Sequence, residues 1–356
     1  MKEKRALLIK LGAIGDVIMA IPAAYELHLQ GHAIDWVCGS AAAPVLGCYP
    51  WIRTFVVDEH AVLKGRRIDR TIAVMGLWRQ IAGRAYAICG TLYYDRRYKI
   101  LTLPVRAARR VSLSALDRER LLLPGRHHTD EYARILLGAV DGERPSHLGP
   151  VAVRGLPASL SPRDRRHRIV LVPGGAKNML RDDALRRWPT ESYVALAATL
   201  LERNVEVVLI GGPDDGWASP FFSGLSITDE IGQLSLLDTL ALLDGADVVV
   251  THDTGPLHLA GITKVSIVSI FGPTDPNGRL PQRPGTVAIW GGEGFACRPC
   301  YDGNSYAPCQ HNGCMRQVTP AMVLEEITNL LVQRSTGLQS PRIVLPKRTV
   351  EVMNPL

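Results

Sequence analysis

The stretch Ala6-Leu-Leu-Ile-Lys10, followed by Leu11-Gly-Ala-Ile-Gly-Asp16 and an apolar-rich run from Val17 to Leu29, decides the fold class. A short apolar run that stops at Gly12 reads as a buried strand, the glycine-bearing segment as a turn, and the following run as a helix. That is the opening of an α/β unit. Working outward, Ala33–Cys38 and Thr54–Asp58 read as the next two strands, with Tyr86–Cys89 and Arg110–Leu113 as weaker ones. Strands alternating with helices imply a parallel sheet covered on both faces. Gly, Pro, Ser and Arg dominate from Val140 to Arg168, which reads as a linker, and a second βα series follows. Its strands are Arg168–Val172, Glu206–Ile210, Asp247–Thr251 and Val265–Ile270. Helices fit Glu191–Glu202, after Pro189, and Leu236–Leu243, and another starts at Leu257. The expectation is two doubly wound α/β domains facing each other, and a length of 356 residues suits two domains.

Composition limits the function classes. The chain is 46% hydrophobic and 21% charged, an ordinary globular mixture that excludes a disordered chain or a small disulfide-stapled scaffold. The formal charge is +7, but its distribution says more: Lys64 to Arg126 holds 15 Lys/Arg against 4 Asp/Glu. That region is suited to something anionic. No apolar run reaches the length of a bilayer span, and the opening apolar run is too short for a signal peptide, so a cytoplasmic location is expected. The seven cysteines are then expected as thiols, metal ligands or buried small hydrophobes, with Cys38, Cys48 and Cys89 in the core.

In open α/β sheets ligands bind beyond the carboxyl ends of the strands, where the informative turns sit. Gly12 and Gly15 suit close backbone approach or positive φ, but neither a dinucleotide fingerprint nor a P-loop is present. Asp16 reads either as a helix N-cap or as an acid/base group acting on a neutral hydroxyl, since a carboxylate there would repel a phosphate. Pro173-Gly-Gly-Ala-Lys177, with Arg186-Arg-Trp-Pro189 beyond it, combines small residues and cations suited to a diphosphate; a solvated basic loop is the plainer reading. In Thr251-His-Asp-Thr-Gly-Pro-Leu-His258 a buried strand ends in Asp253, Thr254 and Gly255, with His258 one turn on. These could converge on an anion or a sugar, or Asp253 or Thr254 could cap the helix while His258 packs.

The segments Lys10–Pro22, Arg186–Pro189, Asp253–His258 and Phe271-Gly-Pro-Thr-Asp-Pro276, in that order, resemble glycosyltransferase family 9, the ADP-heptose:lipopolysaccharide heptosyltransferases. The resemblance runs with gaps from about residue 5 to 330. It implies a GT-B fold: an acceptor-binding Rossmann-like domain at 1–160, a nucleotide-sugar-binding one at 161–335, and a tail at 336–356. It also implies inverting transfer of heptose from ADP-heptose to a lipopolysaccharide-core or related acceptor, with no cofactor for catalysis. By motif position Asp16 takes the general-base role. Lys10, Gly175, Ala176, Lys177, Arg186, Asp253, Thr254, Gly255 and His258 fall on the donor side. Arg186 stands where the family usually has Lys, and Asn178–Leu185 is an insert that blurs which of Gly175, Ala176 and Lys177 meets the phosphates. No Asp-x-Asp ends a strand to hold a divalent ion, Asp214 and Asp215 being adjacent. Other nucleotide-sugars, a protein acceptor, a sugar-nucleotide epimerase and a non-catalytic binding protein of the same fold are the alternatives.

Two further features stand apart from those blocks. Cys297-x2-Cys300-x8-Cys309-x4-Cys314 reads either as a structural tetrahedral Zn or Fe site, an arrangement some family members resemble, or as reduced thiols. Arg96, Arg97, Arg109 and Arg110, within the basic stretch, suit an anionic glycolipid acceptor or the inner face of the cytoplasmic membrane, or form only a solvated helix face. Nucleic acid is not expected, for no recognition motif accompanies the charge.

Overall fold

The computed structural model describes residues 4–113, 127–138, 148–157, 166–177, 182–302 and 305–346, with Arg96 described by its backbone alone. The first unit runs β1 (Lys4–Ile9), α1 (Ile14–Leu29), β2 (His32–Gly39), α2 (Ala43–Gly47), β3 (Ile52–Val57), α3 (Glu59–Leu63), α4 (Arg67–Ile81), β4 (Ala85–Thr91), α5 (Arg96–Ile100), β5 (Arg106–Ser112) and α6 (His128–Leu137). Its parallel sheet has the order β3-β2-β1-β4-β5. Leu7, Leu8 and Ile9 of the central β1 are fully buried, as a strand covered on both faces requires. The two weaker strand expectations are both strands; β4 starts one residue earlier, at Ala85, and β5 four residues earlier, at Arg106, where the two pair in parallel register.

The second unit runs β6 (Arg168–Leu171), α7 (Thr190–Glu202), β7 (Glu206–Leu209), β8 (Thr228–Asp229), α8 (Leu236–Gly245), β9 (Val248–His252), α9 (Gly255–Gly261), β10 (Ser266–Phe271), β11 (Thr286–Trp290), α10 (Gly313–Arg316), α11 (Pro320–Thr336) and β12 (Arg342–Val344). The sheet order is β12-β11-β10-β9-β6-β7-β8. Sequence reading missed β8, β11 and β12. β8 is two exposed residues on an edge, and β12, beyond residue 335, is a three-residue edge strand paired to β11. Arg342 of β12 is ion-paired to Glu326 of α11, which fastens that edge to the sheet. No described helix is long and apolar enough to cross a membrane.

The basic stretch is split between two elements, with Arg96 and Arg97 on the short helix α5 and the rest on a strand. Arg106, Arg109 and Arg110 lie on β5, and successive side chains of a strand point to opposite faces. Of the expected linker, residues 148–157 and 166–168 are described. Val153 N–H donates to Ile262 O at 3.0 Å, and Tyr49 Oη donates to Val151 O at 2.7 Å, so this connection is tied to both units.

The units meet through α1, which packs against α6 and against α9. His127 Nε2 lies 3.1 Å from Leu280 O across the same contact. The contact needs Gly15: a Cβ there would lie 2.4 Å from His258 Cδ2. Gly15→Ala gains up to about 1 kcal/mol of helix propensity. Overpacking a filled contact costs about 1–3 kcal/mol, and the obstacle is a buried ring, so the net effect is destabilising. We expect a lower urea midpoint for Gly15→Ala and recovery in Gly15→Ala/His258→Ala; an unchanged midpoint in the single variant would show slack at this contact.

Candidate active site

Asp16 stands in the first turn of α1 at the contact between the units, about a third exposed. It is not a helix cap. The N-cap position is Ala13, and the Asp16 carboxylate instead accepts from Lys10 Nζ at 3.0 Å. Lys10, at the end of β1, is buried and lies 4.6 Å from the centre of the Tyr93 ring, so the lysine is held on two sides. Burial works to raise the Asp16 pKa, but Lys10, His128 and Arg279 outweigh it and hold the carboxyl below its ordinary value. The group is an ionised carboxylate at neutral pH.

The glycines of this turn serve close approach. A Cβ on Gly12 would sit 2.9 Å from Glu59 Oε1, and one on Gly39 would sit 2.7 Å from Glu59 Oε2. Glu59 therefore lies over the ends of β1 and β2. Burial raises its pKa and nearby Lys10 opposes that. Nothing in the sequence marked Glu59, which opens a short helix after an unremarkable strand.

On the second unit, Asp253 is buried at the end of β9 and collects three donors on one carboxylate. Thr274 Oγ1 donates at 2.8 Å, Arg279 Nη1 at 2.5 Å and Arg186 Nη1 at 3.3 Å. Arg186 Nη1 also lies 3.2 Å from the Asp253 carbonyl, and its Nη2 donates to Asp183 at 2.5 Å. Burial opposes ionisation of Asp253, but Arg279, Arg186 and His258 outweigh it and hold its pKa well below the carboxylate range. Arg186 Nε is buried and has no protein acceptor among the described residues, which leaves a donor for a ligand oxygen.

Thr254 occupies the N-cap position of α9 but makes no side-chain cap. Its Oγ1 accepts from Ala176 N–H at 2.7 Å. Asp215 Oδ1 accepts from Gly175 N–H at 2.7 Å and its Oδ2 from Gly212 N–H at 2.8 Å. The Gly174–Ala176 turn is thus stitched to its neighbours by side chains. Gly175 and Ala176 both have positive φ, 84° and 56°. A Cβ on Gly174 would fall 2.4 Å from Asp215 Oδ1, and one on Gly175 2.5 Å from Thr254 Oγ1. The backbone N–H groups of residues 175 and 176 are committed to these partners. Lys177, at the exposed rim, pairs with Asp214 at 2.9 Å; of the insert that follows, residues 178–181 lie outside the described residues.

His258 is buried between the two sets. Burial pushes its pKa down to about 4, with Arg279 and Arg186 adding to the fall and Asp253 and Asp16 opposing it. A small cavity beside it is lined by Ile18, Met19, Pro22, His127, Thr129 and Arg279, among others. The structure therefore brings Lys10, Asp16, Arg186, Asp253, Thr254 and His258 into one region and adds Arg279, which sequence reading missed. Its only signal is its place three residues beyond the Phe271–Pro276 block.

The remaining expected residues lie apart. Arg97 is bound to Asp95 and the Leu63 carbonyl, Arg109 to the Leu136 carbonyl, and Arg110 to carbonyls of Thr102 and Val105. These three hold the scaffold together; the Arg96 side chain lies outside the described residues. Cys297 and Cys309 are exposed, and Cys300 and Cys314 half-buried. After burial, the Cys300 thiol feels Cys297 and Cys309, so they share one neighbourhood. No group of three or more His, Cys, Asp or Glu among the described residues is placed to hold a metal ion. Cys38 and Cys89 are buried, and Cys48 only partly.

A profile described as glycosyltransferase family 9 (heptosyltransferase) matches residues 120–311, more than half of the chain. The chain belongs to glycosyltransferase family 9. Lipopolysaccharide heptosyltransferase 1 of Pseudomonas aeruginosa is 23% identical over 366 aligned positions, covering 93% of this chain and 99% of that protein. A family 9 glycosyltransferase from Veillonella parvula superposes with a TM-score of 0.72 at 21% identity, covering 94% of this chain and 99% of that one. The E. coli ADP-heptose lps heptosyltransferase II superposes with a TM-score of 0.70 at 18% identity, over 93% and 99%. These structures establish the GT-B fold for this family 9 chain.

The electrostatics make a prediction. Burial is the main cause that pushes His127 and His258 down to about 4 and His128 and His252 to about 3, from an ordinary 6.5. Between those values the unfolded chain binds more protons than the folded one, so stability falls as pH is lowered through that window. Asp16 and Asp253, with lowered pKa values, lose stability in the same direction but only near and below their ordinary 3.8, leaving the histidines in control above it. Calorimetry is expected to give a Tm roughly 5 °C or more lower at pH 5 than at pH 7, and a shallower dependence in His258→Asn. A Tm flat across that range would mean that these imidazoles reach solvent.

Proposed function

We propose that this chain transfers heptose from ADP-heptose to a hydroxyl of an anionic lipopolysaccharide-core glycolipid, with inversion and without a catalytic metal ion. Its membership of family 9 supports heptosyl transfer, and the named relatives act in lipopolysaccharide synthesis. The single observation that carries the mechanism is the ionised Asp16, pinned by Lys10 where the first unit meets the Asp253–Arg186–Arg279 cluster of the second.

Asp16 takes the proton of the acceptor hydroxyl as that oxygen bonds to the anomeric carbon from the face opposite the leaving group. The bond from that carbon to the diphosphate breaks, and its electron pair leaves with ADP. Arg186 and Arg279, already oriented by Asp253, face the growing negative charge without reorganising. The unpaired Arg186 Nε and the rim Lys177 supply further donors. Lys10 sets the direction of the base and keeps it ionised. Neutral His258 fills the space beside Gly15 and lends a ring nitrogen to the sugar or phosphate without adding charge.

Product mass after incubation with ADP-heptose and truncated core acceptors tests the reaction. Asp16→Asn is expected to lose about 100-fold or more in kcat while ADP affinity by calorimetry stays within about threefold. Activity within a few-fold of wild type would remove Asp16 from the base role. Brief EDTA treatment should leave turnover unchanged; immediate loss restored by Mg²⁺ would overturn the metal-free mechanism.

A further inference from the structure

Helix α4 exposes apolar side chains that the fold does not use. Ile68 is 63% exposed, Ile72 66% and Met75 47%, at the i, i+4, i+7 spacing of one helical face. At about 100° per residue these three and Arg79 share a sector about 60° wide. The buried residues Val74, Leu77 and Ile81 point the other way, into the core under β3. The stripe is therefore surplus to packing. Ile100 and Leu103, exposed at 44% and 66%, follow nearby, where Trp78 Nε1 of α4 donates to Ile100 O at 3.2 Å.

The surroundings are cationic. Exposed Lys64, Arg66 and Arg67 precede the stripe, Arg79 closes it, and Lys99 and Arg106 are exposed around Ile100 and Leu103. An apolar ridge with cations at both ends is complementary to an anionic bilayer, whose headgroups take the charges while the ridge enters the acyl boundary. A protein partner of acidic character would need a groove or a counter-ridge, and α4 offers a convex face. Position agrees: β3 and β1 end on the same side of the sheet, and α3 and the start of α4 follow the end of β3. Ile68 thus lies toward the end of the unit that carries Lys10 and Asp16.

We propose that the α4 ridge of Ile68, Ile72 and Met75, with Arg67 and Arg79, docks this enzyme on an anionic lipid bilayer. This rests on the reading above that the acceptor is a glycolipid, which a docked enzyme meets in the plane of the membrane. Each cation near such a surface strengthens partitioning by about fivefold, and the apolar ridge adds its own share.

Flotation of the full chain with vesicles tests it, using phosphatidylcholine alone and phosphatidylcholine mixed with phosphatidylglycerol. Wild type should partition to the mixed vesicles and not to phosphatidylcholine. Ile68→Ser/Ile72→Ser/Met75→Ser and Arg67→Glu/Arg79→Glu should each weaken partitioning at least about tenfold. Both should keep the wild-type Tm, because the altered side chains are exposed, and wild-type turnover on a delipidated, soluble acceptor. Equal partitioning of wild type and the triple serine variant, or none by wild type, overturns the proposal. So does a wild-type dimer in sedimentation that the triple serine variant converts to monomer, for the ridge would then bind a second copy. The vesicle measurement contains neither sugar donor nor acceptor, so it stands or fails apart from the transferase reading.

Discussion

The absence of a side chain at residue 15 is the constraint on which the site depends. The first turn of α1 must lie against His258 closely enough that a methyl group would overlap the imidazole. Asp16 follows Gly15 in the chain, so the contact that seats the glycine also fixes the carboxylate against the second unit. Lys10 then decides where that carboxylate points. It is anchored at the end of the central strand β1 and over Tyr93, so the carboxylate inherits its direction from the core of the first sheet.

The second unit answers with a different device. Asp253 is too buried to be ionised alone, and the two guanidiniums, with His258 and Thr274, make its charge tolerable. Removing one arginine would leave an uncompensated buried charge, the costly way to break such a cluster. The same argument explains why the turn at Gly174–Ala176 is so small. Asp215 and Thr254 fill the room that side chains would take and accept the N–H groups of residues 175 and 176. Small residues there make room for protein side chains, where the sequence alone suggested room for a phosphate.

Legibility followed the kind of signal. Strands buried on both faces, such as Leu7–Ile9 and Val248–Val250, were plain as apolar runs, and so was the two-unit order. Edge strands β8 and β12 were not, since short exposed strands owe their state to a neighbour's backbone. The strand-end turns pointed to Asp16, Asp253, Thr254 and His258 because each sits in a dense local pattern. Arg279 and Glu59 reach the site through tertiary packing, which leaves little trace in local sequence, whereas Asp183 pairs with Arg186 locally, three residues before it. Arg97, Arg109 and Arg110 show the converse: a run of charge was visible, but its partners, carbonyl oxygens of neighbouring segments, were not.

At neutral pH the histidines here carry no charge, and the ion pairs at the meeting of the units join Lys10 to Asp16, and Arg186 and Arg279 to Asp253 and Asp183. Three cations meet three carboxylates. A balanced set holds together without ligand, which a cluster of unpaired arginines in a buried cleft would not do. In the proposed transfer, that balance means that the leaving diphosphate meets donors already aligned and not surplus charge, so orientation matters more than net potential. Lysine in place of Arg186 would keep the charge but could not bond the Asp253 carbonyl, its carboxylate and Asp183 from one planar group while leaving Nε for a ligand. The guanidinium is therefore what joins the Ala184–Arg186 turn to the buried acid beneath it.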